Sequence, residues 1–305
     1  MDEIHLAIAF DTNYIRHFFA LFASILDSNK HNKIIVHAII TGVLKEEQEK
    51  IKSYALVNKA LINFYEIDEA FVKTFVVTNH WSAAVYYRLF FPLIVPPNIK
   101  RLLYLDTDII VLNNLNSLFT MNLDDYPVAA VYDNWVKTAP QLGITTEGNY
   151  FNSGMMLINV PVWKEQQISE KVFHYLAYYP ERIKYVDQCG LNAVLINNWK
   201  KLDWRFNVLR SRIPEGMSEK DKALFLKDKV ILHFTLDRPW KMLCRNPYRN
   251  LYHKYLRKSP YDLDSKYIDY SVYKLPQLLR IRLIELYFNL PIVKKAWRSL
   301  KNKIK

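Results

Sequence analysis

The chain has 305 residues, 50% of them apolar and 14% aromatic, with 24% charged, which excludes a disordered or collagen-like chain and allows a large core. Its formal net charge is +12, yet residues 241–305 hold 16 Lys/Arg against 4 Asp/Glu, so residues 1–240 are neutral. A basic tail on a neutral body lacks the spread of cationic charge that docking on nucleic acid requires, and no nucleic-acid partner is expected.

Apolar, β-rich runs alternate with helical patterns from the start of the chain. Residues 4–10 and 34–41 read as strands buried on both faces, followed by 60–67, 101–105 and 128–132. Between them, 14–27 and 44–58 carry helix formers at helical spacing. Strand and helix alternating in this way predict an α/β fold with a mostly parallel, twisted sheet and helices on both faces. Ligands in such folds sit at the carboxyl ends of the strands. With only 6 Gly there is no Gly-rich phosphate loop, so bound phosphates would need a metal or basic side chains. Cys189 and Cys244 are too few for a disulfide framework and lack zinc-ligand spacing. The acidic start, and the lack of any apolar run of about 18 residues, predict a soluble protein of the reducing cytoplasm.

The chemistry gathers around Asp106-Thr107-Asp108, directly after the apolar run Leu102–Leu105. In a strand, residues i and i+2 point the same way, so both carboxylates would face one spot at the strand's carboxyl end. Two hard oxygen ligands there suit Mn²⁺ or Mg²⁺ with a diphosphate. A solvated strand-end turn is the plain alternative. Asp262-Leu263-Asp264 repeats the spacing with no strand before it.

The segment Leu103–Asp108 resembles the metal motif of the family 8 retaining glycosyltransferases, the class of bacterial lipopolysaccharide galactosyl- and glucosyltransferases and of glycogenin. Further blocks agree in order: Ala9–Tyr14, Tyr87-Arg88-Leu89, Tyr150–Gly154 with Leu157–Asn159, Asp187-Gln188, and His233-Phe234 with Arg238–Lys241. The resemblance spans roughly residues 4–241. It implies a nucleotide-diphospho-sugar transferase fold of the GT-A type, a UDP-hexose donor and transfer with retention. It also implies Asp106, Asp108 and His233 as metal ligands, and Asp11, Asn13 and Tyr14 on the uracil. Arg88, Asp106, Asp133 and Asn152 would contact the donor sugar, and Arg238 and Lys241 the diphosphate. Gln188 and Asp187 would stand beside the reacting carbon. Gln188 is an amide and a poor nucleophile, so departure and attack on one face are expected, with Asp187 a hydrogen-bond partner of the sugar.

Each block has a reading without the family. Asp11 or Asn13 would cap a helix. Arg88, a lone charge in an apolar stretch, needs a buried partner. Asp133 and Asn152 would be turn residues, and His233 a satisfied structural histidine. Two departures stand out: Arg238 replaces the usual Lys, and the His233–Trp240 connection is one residue short, with Leu236 near the usual Gly.

From about residue 245 aromatic and basic residues interleave, Pro276 precedes a helical run, and after Pro291 an amphipathic pattern sets Trp297 and Leu300 against six Lys/Arg. The expected organisation is a catalytic domain over 1–244 and a helical segment over 245–305 for contact with an anionic membrane. The protein would then act at the inner face of the cytoplasmic membrane, moving galactose or glucose to a surface glycan or glycolipid acceptor. A priming transferase acting on protein, or a non-catalytic sugar-nucleotide sensor, are the other readings.

Overall fold

A computed structural model describes residues 3–67, 83–261 and 266–290. The pair Asp262/Asp264 and the amphipathic pattern after Pro291 lie outside these residues. A seven-stranded sheet runs through the molecule in the order β3-β2-β1-β4-β7-β6-β8. The strands are β1 (Glu3–Asp11), β2 (Lys33–Thr41), β3 (Leu61–Tyr65), β4 (Arg101–Leu105), β6 (Val128–Tyr132), β7 (Phe151–Asn159) and β8 (Lys200–Leu202). Within this sheet the described pairings are parallel except those of β7 with β4 and β6. The mostly parallel sheet read from the sequence is therefore present, with one reversed strand. A separate antiparallel pair joins β5 (Ile109–Val111) to β9 (Ile231–His233).

Burial explains these elements. Residues 34–40 of β2 are buried without interruption, as expected of a strand covered on both faces. Helix α1 (Ile15–Ser28) is buried from Ile15 through Ile25, including Arg16 and His17. It is covered by the sheet on one side and by α5 (Arg249–Arg257) on the other. Helix α2 (Lys45–Val57) is a surface helix that buries only Ile51 and Ala55. On the opposite face lie α3 (Ile168–Tyr178) and α4 (Val186–Val194).

The reversal of β7 sets the functional end. Because β7 runs against its neighbours, its beginning meets the carboxyl ends of β4 and β6. There Asp106 N–H donates to Gly154 O at 2.8 Å and Asp133 N–H to Tyr150 O at 2.9 Å. The β6–β7 register then jumps from Ala130/Met156 to Val131/Asn152, which leaves Ser153–Met155 outside the β6 ladder. Such a bulge re-aims side chains, and here it turns Asn152 and Ser153 toward the end of β4.

Beyond residue 244, the described residues 245–261 and 266–290 pack on the same body. Tyr248, Tyr252, Tyr255 and Leu256 are buried in the same core as β1 and α1. The aromatic residues of α5 thus pack inward, where the sequence suggested membrane contact. Helix α6 (Leu275–Asn289) lies on the body through buried Ile281 and through Arg249, whose Nη1 and Nη2 both donate to Glu285 at 2.7 Å. Its Leu275, Leu279, Leu283 and Leu286 are exposed. No described helix is long and apolar enough to cross a membrane.

Candidate active site

At the carboxyl end of the sheet lies a cavity of about 530 Å³. One end of it is acidic. Asp106 and Asp108 lie on the turn between β4 and β5, so a turn brings them together, not the alternation of a strand. The antiparallel pair β5–β9 aligns Ile109 with His233 and delivers the histidine to the same place. His233 Nε2 lies 3.0 Å from Asp108 Oδ1 and 4.0 Å from Asp106 Oδ2. Asp106 Oδ1 is already used, accepting from Tyr104 O–H at 2.8 Å and from Arg88 Nη2 at 3.1 Å. Its Oδ2 is the oxygen left for a ligand.

Donor chemistry and space both fit a divalent cation here. Asp106, Asp108 and His233 offer two carboxylate oxygens and an imidazole nitrogen, all within 4.8 Å of one another. A Cβ on Gly154 would overlap both His233 Cε1 and Asp106 Oδ2, so glycine keeps the space between two of the three groups open. Burial disfavours the Asp108 carboxylate, but the charge and hydrogen bond of His233 outweigh it and hold Asp108 down at about 2. The same partnership raises His233 against its own burial.

The histidine is oriented by a residue that the sequence did not single out. Asn152 Oδ1 accepts from Gly154 N–H at 3.1 Å, which identifies that atom as the oxygen. Asn207 Nδ2 therefore donates to it, at 3.0 Å, and Asn207 Oδ1 faces His233 Nδ1 at 3.0 Å. Nδ1 therefore carries a proton and Nε2 faces the two aspartates, donating to Asp108 when the ring is charged and free to ligate a metal when it is neutral. Asn207 is completely buried, in the segment after β8 that runs beside β9 through the bridge of Val208 with Leu232.

The other end of the cavity is a closed polar network around Arg88. This side chain is buried beneath Tyr104, its guanidinium 4.7 Å from the ring centroid. Its Nη1 donates to Ser153 O at 2.8 Å and Oγ at 2.7 Å, and its Nε pairs with Asp187 at 3.0 Å. Gln188 is fixed as well: Oε1 accepts from Ser153 N–H at 3.1 Å, so Nε2 points to Asp133 Oδ2, 3.3 Å away. Asn152 Nδ2 donates to the same Asp133 oxygen at 3.3 Å. Burial raises the Asp187 carboxyl to about 6, Arg88 offsetting only part of the effect. Val186, just before this pair, holds φ at 41°, an uncommon backbone for a β-branched residue.

Of the residues picked from the sequence, Arg88, Asp106, Asp108, Asp133 and Asn152 line this cavity together with Asp187, Gln188, His233, Arg238 and Lys241. Asp11, Asn13 and Tyr14 are not among its lining residues. Asp11 caps the turn after β1, accepting from Asn13 N–H at 2.9 Å, and Asn13 is exposed. Tyr14 is partly buried with its ring edge on His17, close enough to Arg238 for the cation to oppose the upward push of burial on its hydroxyl. The loop carrying Arg238 is fastened from several sides. His17 stacks on Trp240 at 3.7 Å between ring centroids, His253 Nε2 meets Pro239 O at 3.1 Å, and Met242 N–H donates to Asp269 at 2.8 Å. Leu236 in this loop has φ of 66°, a backbone that glycine adopts freely.

Comparison with known proteins agrees with this geometry. The family described as Glycosyl transferase family 8 matches residues 5–244. General stress protein A of Bacillus subtilis is 31% identical over 84% of this chain and 94% of its own length. A lipopolysaccharide 1,2-glucosyltransferase of Escherichia coli is 33% identical over 72% of this chain and 67% of its own. In structure, the galactosyltransferase LgtC, solved with donor and acceptor sugar analogues, superposes with a TM-score of 0.74 at 19% identity, over 86% of this chain and 98% of that one. With the family matched across most of its length, and the turn, bulge and crossing strand pair bringing Asp106, Asp108, Asn152 and His233 to one cavity, the chain belongs to glycosyl transferase family 8.

Proposed function

We propose that the protein is a retaining hexosyltransferase that moves galactose or glucose from a UDP-sugar to a glycan or glycolipid acceptor at a membrane. The observation that carries this reading is the polarity of the cavity. Its Asp106/Asp108/His233 end, flanked by Arg238 and Lys241, suits a diphosphate, and its Arg88/Asp133/Gln188 end offers hydrogen-bonding groups to a hexose.

Asp106, Asp108 and His233 would hold a divalent ion such as Mn²⁺ or Mg²⁺, which when bound supplies charge neutralisation to the departing diphosphate. Arg238 and Lys241 add fixed positive charge on the same oxygens. Asn152, Asp133 and Asp187 orient the sugar hydroxyls. Retention is supported by what stands at the sugar end. Gln188 carries no nucleophilic carboxylate, and Asp187 is tied to Arg88 and accepts from Ser153 Oγ at 3.1 Å. The bond from the anomeric carbon to the diphosphate oxygen would break first. The acceptor hydroxyl would then add on the same face and pass its proton to the departing phosphate. Exposed Trp135 and Leu236 at the cavity's mouth leave room for an acceptor there. The exposed leucines of α6 and the basic charge beyond residue 240 favour contact with an anionic membrane.

The test is hydrolysis and transfer with a panel of UDP-sugars, with Mn²⁺ and with EDTA, followed by NMR of the first-formed product. An α-linked product that requires the ion is expected. A β-linked product from an α-linked donor, or full activity in EDTA, ends this reading.

A further inference from the structure

A second cavity, of about 360 Å³, lies between residues 214–217 and α6. Its floor is apolar, built from Pro214, Met217, Pro247, Ile281 and Ile284. Lys222, Arg245 and Arg280 stand along it with Glu215 and Glu285. The acids are spoken for: Glu215 pairs with Arg210, and Glu285 with Arg249 and Arg282. Lys222 pairs with Glu219. Arg245 and Arg280 are left with no ion pair among the described residues. An apolar trough with two guanidinium groups that make no ion pair among the described residues is complementary to an anionic amphiphile, and the planar fork of arginine suits a phosphate.

Two further observations decide which amphiphile. The far side of α6 exposes Leu279, Leu283 and Leu286, so one wall of the trough is a helix with an unpartnered apolar side. The same two loops also line both cavities. Leu209 and Ser211 face the catalytic cavity and Pro214–Met217 the trough, while Arg238 and Lys241 face the former and Arg245 and Pro247 the latter. Asp237 joins the two loops, accepting from Arg245 N–H at 2.9 Å and from Arg210 Nε at 3.5 Å. A phosphate held in the trough lies one loop away from the catalytic mouth.

We propose that this trough binds the phosphate-bearing lipid end of the acceptor, while the glycan end reaches the catalytic cavity. The assignment deepens the proposed function and rests on its acceptor reading. Monomeric dodecyl phosphate serves as the probe, titrated calorimetrically into the full chain with saturating UDP and Mn²⁺ to occupy the catalytic cavity. Dodecyl maltoside and inorganic phosphate are run in parallel. The phosphate amphiphile should bind at least about tenfold more tightly than either control, and the double variant Arg245→Gln/Arg280→Gln should lose about tenfold or more of that affinity. Ile284→Asn should weaken the amphiphile and leave inorganic phosphate unaffected. UDP-sugar hydrolysis should be unchanged in all variants. Equal binding by the double variant overturns the assignment, as does inorganic phosphate binding as tightly as the amphiphile. A wild-type protein that binds the amphiphile with these preferences and hydrolyses no UDP-sugar upholds the trough and overturns the enzymatic reading alone.

Discussion

The two ends of the catalytic cavity are built on opposite electrostatic plans. At the end proposed for the sugar, Arg88 sits between Asp106 and Asp187, and the amides of Gln188 and Asn152 already have hydrogen-bond partners. At the end proposed for the metal, ligand atoms of Asp106, Asp108 and His233 converge within 4.8 Å of one another. Two carboxylates in one cavity are accordingly driven apart: burial lifts Asp187 to about 6, whereas His233 overcomes burial and holds Asp108 at about 2. Separation of this kind marks different tasks. One end places a buried guanidinium between acids; the other gathers two carboxylates and an imidazole on one point.

The sharpest test of that contrast separates activity from stability. Asp108→Asn should lower transfer by on the order of 10³-fold, because the donor set loses a charged ligand. Its denaturation midpoint should fall only modestly, because the amide oxygen can still accept from His233 although the charge pairing is lost. Gly154→Ala should be equally inactive through the overlap of its Cβ with His233 and Asp106. Arg88→Met inverts the pattern. It strands the buried Asp187 carboxylate and should cost about 3–5 kcal/mol of unfolding free energy, read by urea titration. An Arg88→Met protein as stable as wild type would break the comparison.

Much of this was legible in the sequence, for identifiable reasons. Strands β1, β2, β4 and β6 are short apolar runs bounded by polar residues, and the structure places them within a few residues of the expected spans. The direction of β7 was not legible, because Phe151–Asn159 is buried throughout and carries no sign of orientation. The acidic pair was found through a strand argument, but a turn and the β5–β9 crossing bring it to His233. Asp11 was expected on the base, and what the structure records is its capping role, the alternative that its position after a strand also allowed. Asn207 left no signal at all, being a single amide in a loop whose role depends on residues 55 and 26 positions away. The tyrosines of α5 were read as membrane contacts because basic residues surround them. Spacing of three and four puts Tyr252, Tyr255 and Leu256 on one buried face, and Lys254 and Arg257 on the other.

Asn207 gives the next, smaller effect, because it acts on the metal end only through His233. Asn207→Leu removes the acceptor for the Nδ1 proton and should weaken Mn²⁺ binding, measured by electron paramagnetic resonance with UDP present, by about 10–100-fold. Asn207→Asp keeps that acceptor and should retain most of the affinity. If the two variants bind Mn²⁺ equally, Asn207 is a packing residue and not a positioning one.

The smallest effect on catalysis is expected from removing α6, and its value lies in where the cut is made. Residues 266–274 brace the metal end: Ile268 N–H donates to Trp240 O at 3.1 Å, Asp269 accepts from Met242 N–H, and Lys274 holds Asp269 at 2.7 Å. These contacts fix the loop that carries Arg238 and Lys241. Helix α6 braces neither end of the catalytic cavity. Ile281 is its only buried side chain among the described residues, and its ion pairs run to Arg249 on α5 and within α6 itself. Burying an isoleucine contributes about 1.5–3 kcal/mol, a loss that the shared core of α1 and α5 should tolerate. A chain ending at Lys274 should therefore fold and hydrolyse UDP-sugar at the full-length rate, while sedimenting less with anionic vesicles. A chain ending at residue 265 loses the braces on Trp240 and Met242, and its donor hydrolysis should fall with the position of Arg238. If both chains hydrolyse donor equally, the braces do not matter to the metal end. If the chain ending at Lys274 is as inactive as Asp108→Asn, the helix contributes to catalysis, and the contrast between the two ends would have to be extended to it.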